Sequence, residues 1–245
     1  MRRLSAIALV LMLMMPLDAI TRESNRYSSD VEDLVSSVVE SYGGREKLEN
    51  MHSVYGEGEI KAVVTGKSGS SVTYLARGRK LRVETLFKGS SEIEILNGER
   101  GWRTAKNGAL KRVDGIRYLG MIYQFNHLYL PYGLMKGTYR IKDAGWEMFR
   151  GVAVRILELT DDEGPPMKVF IDTETYRIVK VIGYFTIGDS EATLTSVFAD
   201  FKPVDGVPFP FRMTDYGNGF KIKETVMKSY SLNGKMDQAL FSPER

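Results

Sequence analysis

The chain has 245 residues, a formal net charge of +3, 43% hydrophobic residues and no cysteine. The lack of cysteine excludes disulfide bonds, thiolate metal sites and a cysteine nucleophile. Lysine and arginine are spread along the sequence, which argues against nucleic acid as a partner, because nucleic-acid-binding proteins concentrate positive charge in a stripe.

Residues 1–19 have the layout of a secretory signal peptide, with Arg2 and Arg3 followed by an apolar run over residues 4–17. The alternative is an uncleaved anchor, but the run has about 14 residues and a hydrocarbon core needs ~20. We therefore predict export and cleavage. We expect residues 20–245 to form one domain, because no linker or shift in composition divides them. We expect this domain to be soluble, periplasmic and monomeric.

An amphipathic helix is predicted after this leader. It is expected to begin at Ser29 or Asp30 and to end at the Gly43-Gly44 pair. A second short helical turn is predicted over residues 45–51. The apolar positions of the first helix fall on one face: Val31, Leu34, Val35, Val38 and Val39. We expect this face to cover part of a sheet.

Most of the remaining chain alternates apolar and polar residues in short runs, separated by Asn-Gly or Asp-Gly pairs that favour tight hairpin turns. These pairs predict one long antiparallel meander. They lie at residues 97–98, 107–108, 114–115, 205–206, 218–219 and 233–234. The predicted strands are 54–64, 72–76, 81–87, 92–96, 102–105, 110–113, 138–143, 146–149, 152–159, 167–171, 178–186, 192–201, 210–216 and 221–232.

The alternation stops over residues 116–136, where apolar residues are dense and Pro131 interrupts them. This pattern predicts one or two short helices that are apolar on most sides and must be buried. Such a segment fits inside the concave face of the sheet, as a plug or a lid. The predicted fold class is mostly β (α+β), a large curved antiparallel sheet forming an open half-barrel wrapped around short helices.

The sequence offers little support for an enzyme. His52 and His127 lie on unrelated segments, and neither has a partner at metal-binding spacing. The acidic run over residues 161–163 is typical of a solvated turn, although it has the ligand type of a loose cation site. We therefore predict no catalytic residue, no metal and no cofactor. A hydrolase stays open as a third hypothesis, but no motif marks its site.

Four segments together resemble a known family. They are residues 42–48 (YGGREKL), 168–175 (KVFIDTET), 198–210 (FADFKPVDGVPFP), and Leu232-Asn233 followed by Asp237 and Phe241. The chain resembles the LolA/LolB-like superfamily of exported lipoprotein-sorting proteins, and most of all the branch called outer membrane lipoprotein-sorting protein. The resemblance covers nearly the whole chain after the leader.

The resemblance implies a half-closed antiparallel barrel around helices, with an apolar cavity for lipoprotein acyl chains. It implies a carrier that takes lipid acyl chains or lipoproteins between membrane donor and acceptor proteins. Arg117 is nearest in position to the arginine that holds the lid of the family's carrier. The lack of a lipid-modified cysteine favours a soluble carrier over an anchored receptor. The residues expected to line or close the cavity are Trp102, Ile122, Phe125, Leu128, Leu134, Phe170 and Phe198.

A second hypothesis keeps the same fold but gives it another task. An envelope sensor or interaction module of this fold would bind a protein partner through its groove. A sensor would be expected to carry a further partner-binding domain, and the sequence shows none, so the carrier is the preferred interpretation.

Overall fold

The computed structural model describes residues 17–244, with side chains from residue 29 onward. The predicted signal peptide, residues 1–19, lies outside the described residues except for its last three positions. Helix α1 spans Leu17–Ser41 and α2 spans Gly44–Asn50. The predicted start of α1 at Ser29 or Asp30 is wrong, because the helix already begins at Leu17. Residues 17–28 contain no proline or glycine that would interrupt a helix.

Thirteen strands form one sheet in the order β6-β5-β4-β3-β2-β1-β13-β12-β11-β10-β9-β8-β7. Every neighbouring pair is antiparallel. The end strands β6 and β7 do not pair with each other, so the described sheet is open and the predicted half-barrel is confirmed. The strands are β1 Ser53–Ala62, β2 Lys67–Ala76, β3 Lys80–Phe87, β4 Ser90–Asn97, β5 Arg100–Thr104, β6 Leu110–Val113, β7 Arg140–Phe149, β8 Val152–Thr160, β9 Met167–Asp172, β10 Ile178–Ile187, β11 Ser190–Val204, β12 Val207–Gly217 and β13 Phe220–Leu232.

Two predicted elements differ in detail. The segments predicted as separate strands over 138–143 and 146–149 form the single strand β7, with a bulge between Asp143 and Trp146. Gly145 supplies the left-handed backbone there, with φ of 87°, and its N–H donates to Asp143 Oδ1 at 2.9 Å. The apolar middle segment forms one helix rather than two short ones. A final 3₁₀ helix covers Gln238–Phe241.

Helix α3, Gly115–Met135, is buried against the inner face of the sheet. Its hydrophobic side chains and those of α1 join inward-facing residues of the strands in one core. This placement follows from its composition, since a helix apolar on most sides has to be surrounded by other apolar groups. Within residues 17–244, no helix is both long and apolar enough to cross a lipid bilayer.

Two glycines allow α3 to approach the sheet closely. The ring of Tyr123 lies over Gly183 of β10, where an added Cβ would come within 2.6 Å of Tyr123 Cδ2. Met121 lies over Gly101 of β5, where a Cβ would come within 2.9 Å of the sulfur. Helix α3 therefore contacts strands far apart in the sheet order and crosses the interior of the half-barrel.

The loop between β8 and β9 brings distant parts of the fold together. Asn126 of α3 donates to Asp161 in this loop at 3.0 Å, and the neighbouring Glu163 forms an ion pair with Arg79 in the turn between β2 and β3. Arg140 of β7 donates to Asp162 at 2.7 Å. The acidic run over residues 161–163 thus binds basic and amide side chains, which gives it a structural role.

We predict that Gly183→Ala destabilises the protein, because the new methyl group displaces Tyr123 from a tightly packed site. The expected loss is about 1–3 kcal/mol of unfolding free energy, the usual cost of overpacking a core. Urea unfolding followed by circular dichroism measures it. Gly217→Ala in β12 is the matched control, since its added Cβ lies 3.6 Å from the nearest atom, Ile222 Cγ2. A loss no larger than that of the control would contradict this packing.

Candidate ligand-binding groove

A groove runs between α3 and the inner face of the sheet, and it has two arms. The arms meet at His127 and Leu128 on α3, and at Thr73 and Tyr230 on the strands opposite. We call them the apolar arm and the polar arm, after the side chains that line them. The groove is the part of the interior that α3 leaves unfilled.

The apolar arm has a volume of about 60 Å³ and extends from the junction towards α2. Ligand pockets commonly have ~300–1,000 Å³, so this arm is narrow in the present conformation. Hydrocarbon and aromatic side chains of α2, α3, the central strands and the residues flanking α2 form its walls. They include Tyr42, Leu48, Met51, Leu75, Pro131, Ile178, Phe198, Phe201, Val207, Phe209 and Tyr230.

The polar arm has a volume of about 340 Å³ and extends from the junction towards the turn between β1 and β2. Three carboxylates and three cationic side chains line it, together with apolar residues. Arg103 forms ion pairs with Glu92 at 3.1 Å and with Glu94 at 3.2 Å. Lys223 forms one with Asp215 at 2.9 Å. The sixth charge, Lys67, has no ion-pair partner among the described residues.

A chain of hydrogen bonds anchors α3 to the floor of the polar arm. Tyr123 donates to the carbonyl of Val181 at 3.1 Å and lies 3.2 Å from Ser196 Oγ, which donates to Asp215 at 2.7 Å. Burial acts to raise the pKa of Asp215, but Lys223, His127 and Ser196 outweigh burial and lower it. Asp215 is therefore charged at neutral pH although it lies inside the half-barrel.

His127 occupies the junction of the two arms. Its ring packs against Tyr123 at 5.0 Å and Phe198 at 5.6 Å between centroids, and its Nδ1 is buried without a hydrogen-bond partner. Burial lowers the pKa of His127 to about 4, and the nearby Lys223 also lowers it, against the opposing effect of Asp215. The imidazole at the junction is therefore neutral at neutral pH.

Pro131 lies inside α3, one turn beyond His127. Proline has no amide hydrogen, so it cannot donate to the carbonyl of His127, and its ring crowds that carbonyl. Helix α3 is therefore weakest where it lines both arms of the groove.

The seven residues predicted to bind ligand occupy three different places. Leu128 and Phe198 line the groove. Three others, Ile122, Phe125 and Leu134, are buried in the main core between α3, the helices and the sheet. The remaining two, Trp102 and Phe170, belong to apolar clusters separate from the main core. Ligand binding by any of the seven stays a prediction.

Trp102 and Phe170 miss the groove because of strand alternation. Their neighbours Gly101, Val169 and Ile171 face the inner core, so the side chains between them point to the outer face. Trp102 packs in a cluster with Phe241 of the C-terminal 3₁₀ helix. The ammonium of Lys180 lies 3.5 Å from the ring centroid of Phe170. Arg117, named from the family resemblance, is exposed near the start of α3 and forms no ion pair among the described residues.

Most residues of the apolar arm, and all residues of the polar arm except Leu128, were not predicted from the sequence. The Pro-Phe-Pro-Phe run over residues 208–211 could have indicated the apolar arm, because aromatic rings and prolines are dense there. No sequence pattern indicated the polar arm. Asp215 borders a register shift between β12 and β13, so simple alternation does not reveal that it faces inward. Among the described residues, no cluster of histidine and carboxylate side chains is arranged to hold a metal ion.

No protein-family model matches the sequence, and no curated protein matches it. Solved structures do match. A DUF1329 family protein from Desulfovibrio piger has a TM-score of 0.57 at 14% identity, over 86% of this chain and 96% of the other. A LolA superfamily protein from Nitrosomonas europaea has a TM-score of 0.56 at 13% identity, over 83% and 96%.

A third structure, an outer membrane lipoprotein-sorting protein domain from Vibrio parahaemolyticus, has a TM-score of 0.51 at 17% identity, over 80% of this chain and 94% of that domain. Identities this low establish the fold alone. The chain has the LolA-like fold that its sequence resemblance predicted.

Proposed function

We propose that the protein is a periplasmic carrier, which binds lipid acyl chains or lipoproteins in its groove for transfer towards the outer membrane. The apolar arm is the observation that carries this proposal. It is a channel inside the sheet, walled by hydrocarbon and aromatic side chains and continuous with a wider polar arm. Each CH₂ group removed from water contributes about 0.8 kcal/mol of favourable free energy, so transfer of an acyl chain into this arm would be favourable.

The two arms together suit an amphiphile. The acyl chain would lie in the apolar arm, and the polar end, either a headgroup or the peptide beside an acylated residue, would lie among the charged side chains of the polar arm. The neutral imidazole of His127 at the junction places no charge beside the chain. The narrowness of the apolar arm implies that α3 yields as the chain enters, and Pro131 is where it can bend.

The proposal assigns binding rather than catalysis to the groove. His127 is the residue there best suited to general acid–base chemistry, but its ring is held by packing against Tyr123 and Phe198, and its Nδ1 has no hydrogen-bond partner among the described residues. Native mass spectrometry of protein recovered from the periplasm without detergent, followed by organic extraction, tests the proposal directly. A lipid or acylated-peptide adduct is expected. A clean apo mass, with no uptake of a fluorescent fatty acid, would contradict it.

Leu128→Glu is expected to weaken binding of a fluorescent fatty acid by about tenfold or more. A carboxylate would replace an apolar contact of about 1.5–3 kcal/mol where the arms meet. Titration monitored by fluorescence measures the change. Met148→Glu on the edge strand β7 is the control, because Met148 is 60% exposed and away from the groove. Both variants should remain folded by circular dichroism, and equal affinities would count against the groove as the binding site.

Pro131→Ala is expected to stabilise α3 and to slow ligand uptake, because it restores the missing hydrogen bond and removes the ring that crowds the His127 carbonyl. Thermal unfolding and stopped-flow fluorescence measure the two effects. Gly120→Ala is the control: it also favours the helix, and no atom lies within 4 Å of its new methyl group. If both variants raise the melting temperature and neither slows uptake, bending at Pro131 does not admit the ligand.

The neutrality of His127 predicts how stability depends on pH. Its pKa is about 4 in the folded protein and about 6.5 in an unfolded chain, so below pH 6.5 the unfolded state takes up a proton that the folded state does not. Stability should therefore fall between about pH 7 and pH 4, and His127→Gln should reduce that fall. Urea unfolding at several pH values checks it, with exposed His52→Gln as the control. A wild-type profile in the His127 variant would refute the prediction.

A further inference from the structure

One edge of the sheet carries a row of hairpin tips with exposed apolar side chains. Consecutive turns between β3 and β4, β1 and β2, β12 and β13, and β10 and β11 lie side by side there, because their strands are neighbours in the sheet. We call these turns, with the β5–β6 turn, the hairpin rim. The most exposed large apolar side chains of the four are Leu86 at 60%, Val64 at 77%, Phe220 at 77% and Ile187 at 50%.

Hydrogen bonds confirm that adjacent tips are joined. The N–H of Val63 donates to the carbonyl of Ile222 at 2.9 Å, and the N–H of Asn218 donates to the carbonyl of Thr193 at 2.9 Å. Neighbouring hairpins are separated by two strand spacings, about 10 Å. The exposed side chains therefore lie in a row at one end of the half-barrel.

The opposite edge of the sheet is different. Its turns, over residues 77–79, 98–99, 150–151, 173–177 and 205–206, expose two large apolar side chains, Met148 at 60% and Tyr176 at 38%, which lie at different turns. Helix α2 covers part of this edge: Arg77 donates to the carbonyl of Leu48 at 3.2 Å, and Lys47 contacts Gly206. The hairpin rim has no such cover among the described residues, so its apolar side chains meet solvent.

Positive charge accompanies these side chains. Four of the five tips carry an exposed lysine at the turn: Lys67, Lys88, Lys106 and Lys221. Lys221 pairs with Glu224, whereas the other three form no ion pair among the described residues. The β10–β11 tip is the exception, since it carries Asp189 and Glu191. Exposed lysines without carboxylate partners complement an anionic surface.

We propose that the hairpin rim docks on the surface of an anionic lipid bilayer. Single apolar side chains would enter the boundary between headgroups and acyl chains, and the lysines would bind anionic headgroups. A protein partner fits less well. Protein interfaces have a continuous apolar centre, whereas these side chains are about 10 Å apart and separated by lysine and glycine.

Docking in this way would place the mouth of the groove against the membrane. The polar arm is lined at its outer end by Thr65 and Lys67 from one tip and by Thr85 and Phe87 beside the next. The docking proposal is nevertheless independent of the carrier proposal, since the rim is defined by its own exposed residues and its test measures vesicle binding rather than occupancy of the groove.

Co-sedimentation with vesicles tests the proposal. The full chain is expected to bind phosphatidylglycerol–phosphatidylethanolamine vesicles more strongly than phosphatidylcholine vesicles, and less strongly in high salt. The double variant Val64→Ser/Phe220→Ser should reduce this binding by about tenfold or more. Trp146→Ser/Met148→Ser is the matched control, with two similarly exposed apolar residues on the β7 edge instead of the rim. All variants share one N-terminus, so the leader cannot cause a difference between them.

Two further variants locate the contact. The double variant Lys88→Gln/Lys106→Gln, at rim lysines that do not line the groove, should weaken binding to the anionic vesicles only. Phe220→Trp should show a blue shift of tryptophan emission, relative to wild type, when anionic vesicles are added. No binding of the wild type to anionic vesicles, equal losses in rim and control variants, or an unshifted emission from the Phe220→Trp variant would overturn the proposal. Fatty-acid binding in solution should be the same in all rim variants, so a failed carrier proposal leaves this test intact.

Discussion

The rest of the structure depends on the burial of α3 inside the sheet. A thirteen-stranded open sheet has an inner face too large for its own side chains to cover, and α3 fills most of it. The fit depends on Gly101 and Gly183, which let Met121 and Tyr123 approach the strands closely. The groove is a consequence of the same packing, because it is the strip of inner face that α3 does not reach.

The walls of the two arms are stabilised in different ways. The apolar arm is almost closed, so its walls contact one another and little surface faces a void. The polar arm stays wider because its charged side chains pair across strands: Asp215 with Lys223, and Arg103 with two glutamates. Asp215 and Lys223 are the more buried pair and require such partners, whereas the side chains of Arg103 and Glu92 are 41% and 50% exposed. A ligand would therefore first meet the polar arm, where most charges are already paired, and then the nearly closed apolar arm.

Much of the fold was predictable from the sequence, because its strongest signals are local. Turn dipeptides and alternation gave the meander, and the dense apolar run over 116–136 gave a buried helix. The bulge in β7 was not predictable, since Gly145 can end a strand as easily as bend it. The groove was harder still. Leu128 was found because it lies in the apolar run, whereas Trp102 and Phe170 were placed on the wrong face. Phe170 lies in an apolar stretch that gives no sign of which side is inner. Trp102 lies between Gly101 and Arg103, and the charged Arg103 faces inward. The charges of the polar arm are indistinguishable in sequence from solvated ones.

Pro131 also separates two parts of α3 that contact different elements of the fold. Before Pro131 the helix is fastened to the sheet through Tyr123 and, through Asn126, to the loop that joins Arg79. After Pro131 its last turn packs beside α1, where Leu134 and Met135 lie near Val31 and Val35. A chain wedged into the apolar arm would displace this last turn and push on α1. Under the proposed carrier function, the position of α1 would report whether the groove is occupied, and a partner that touches only the outer surface would distinguish the loaded state from the empty one.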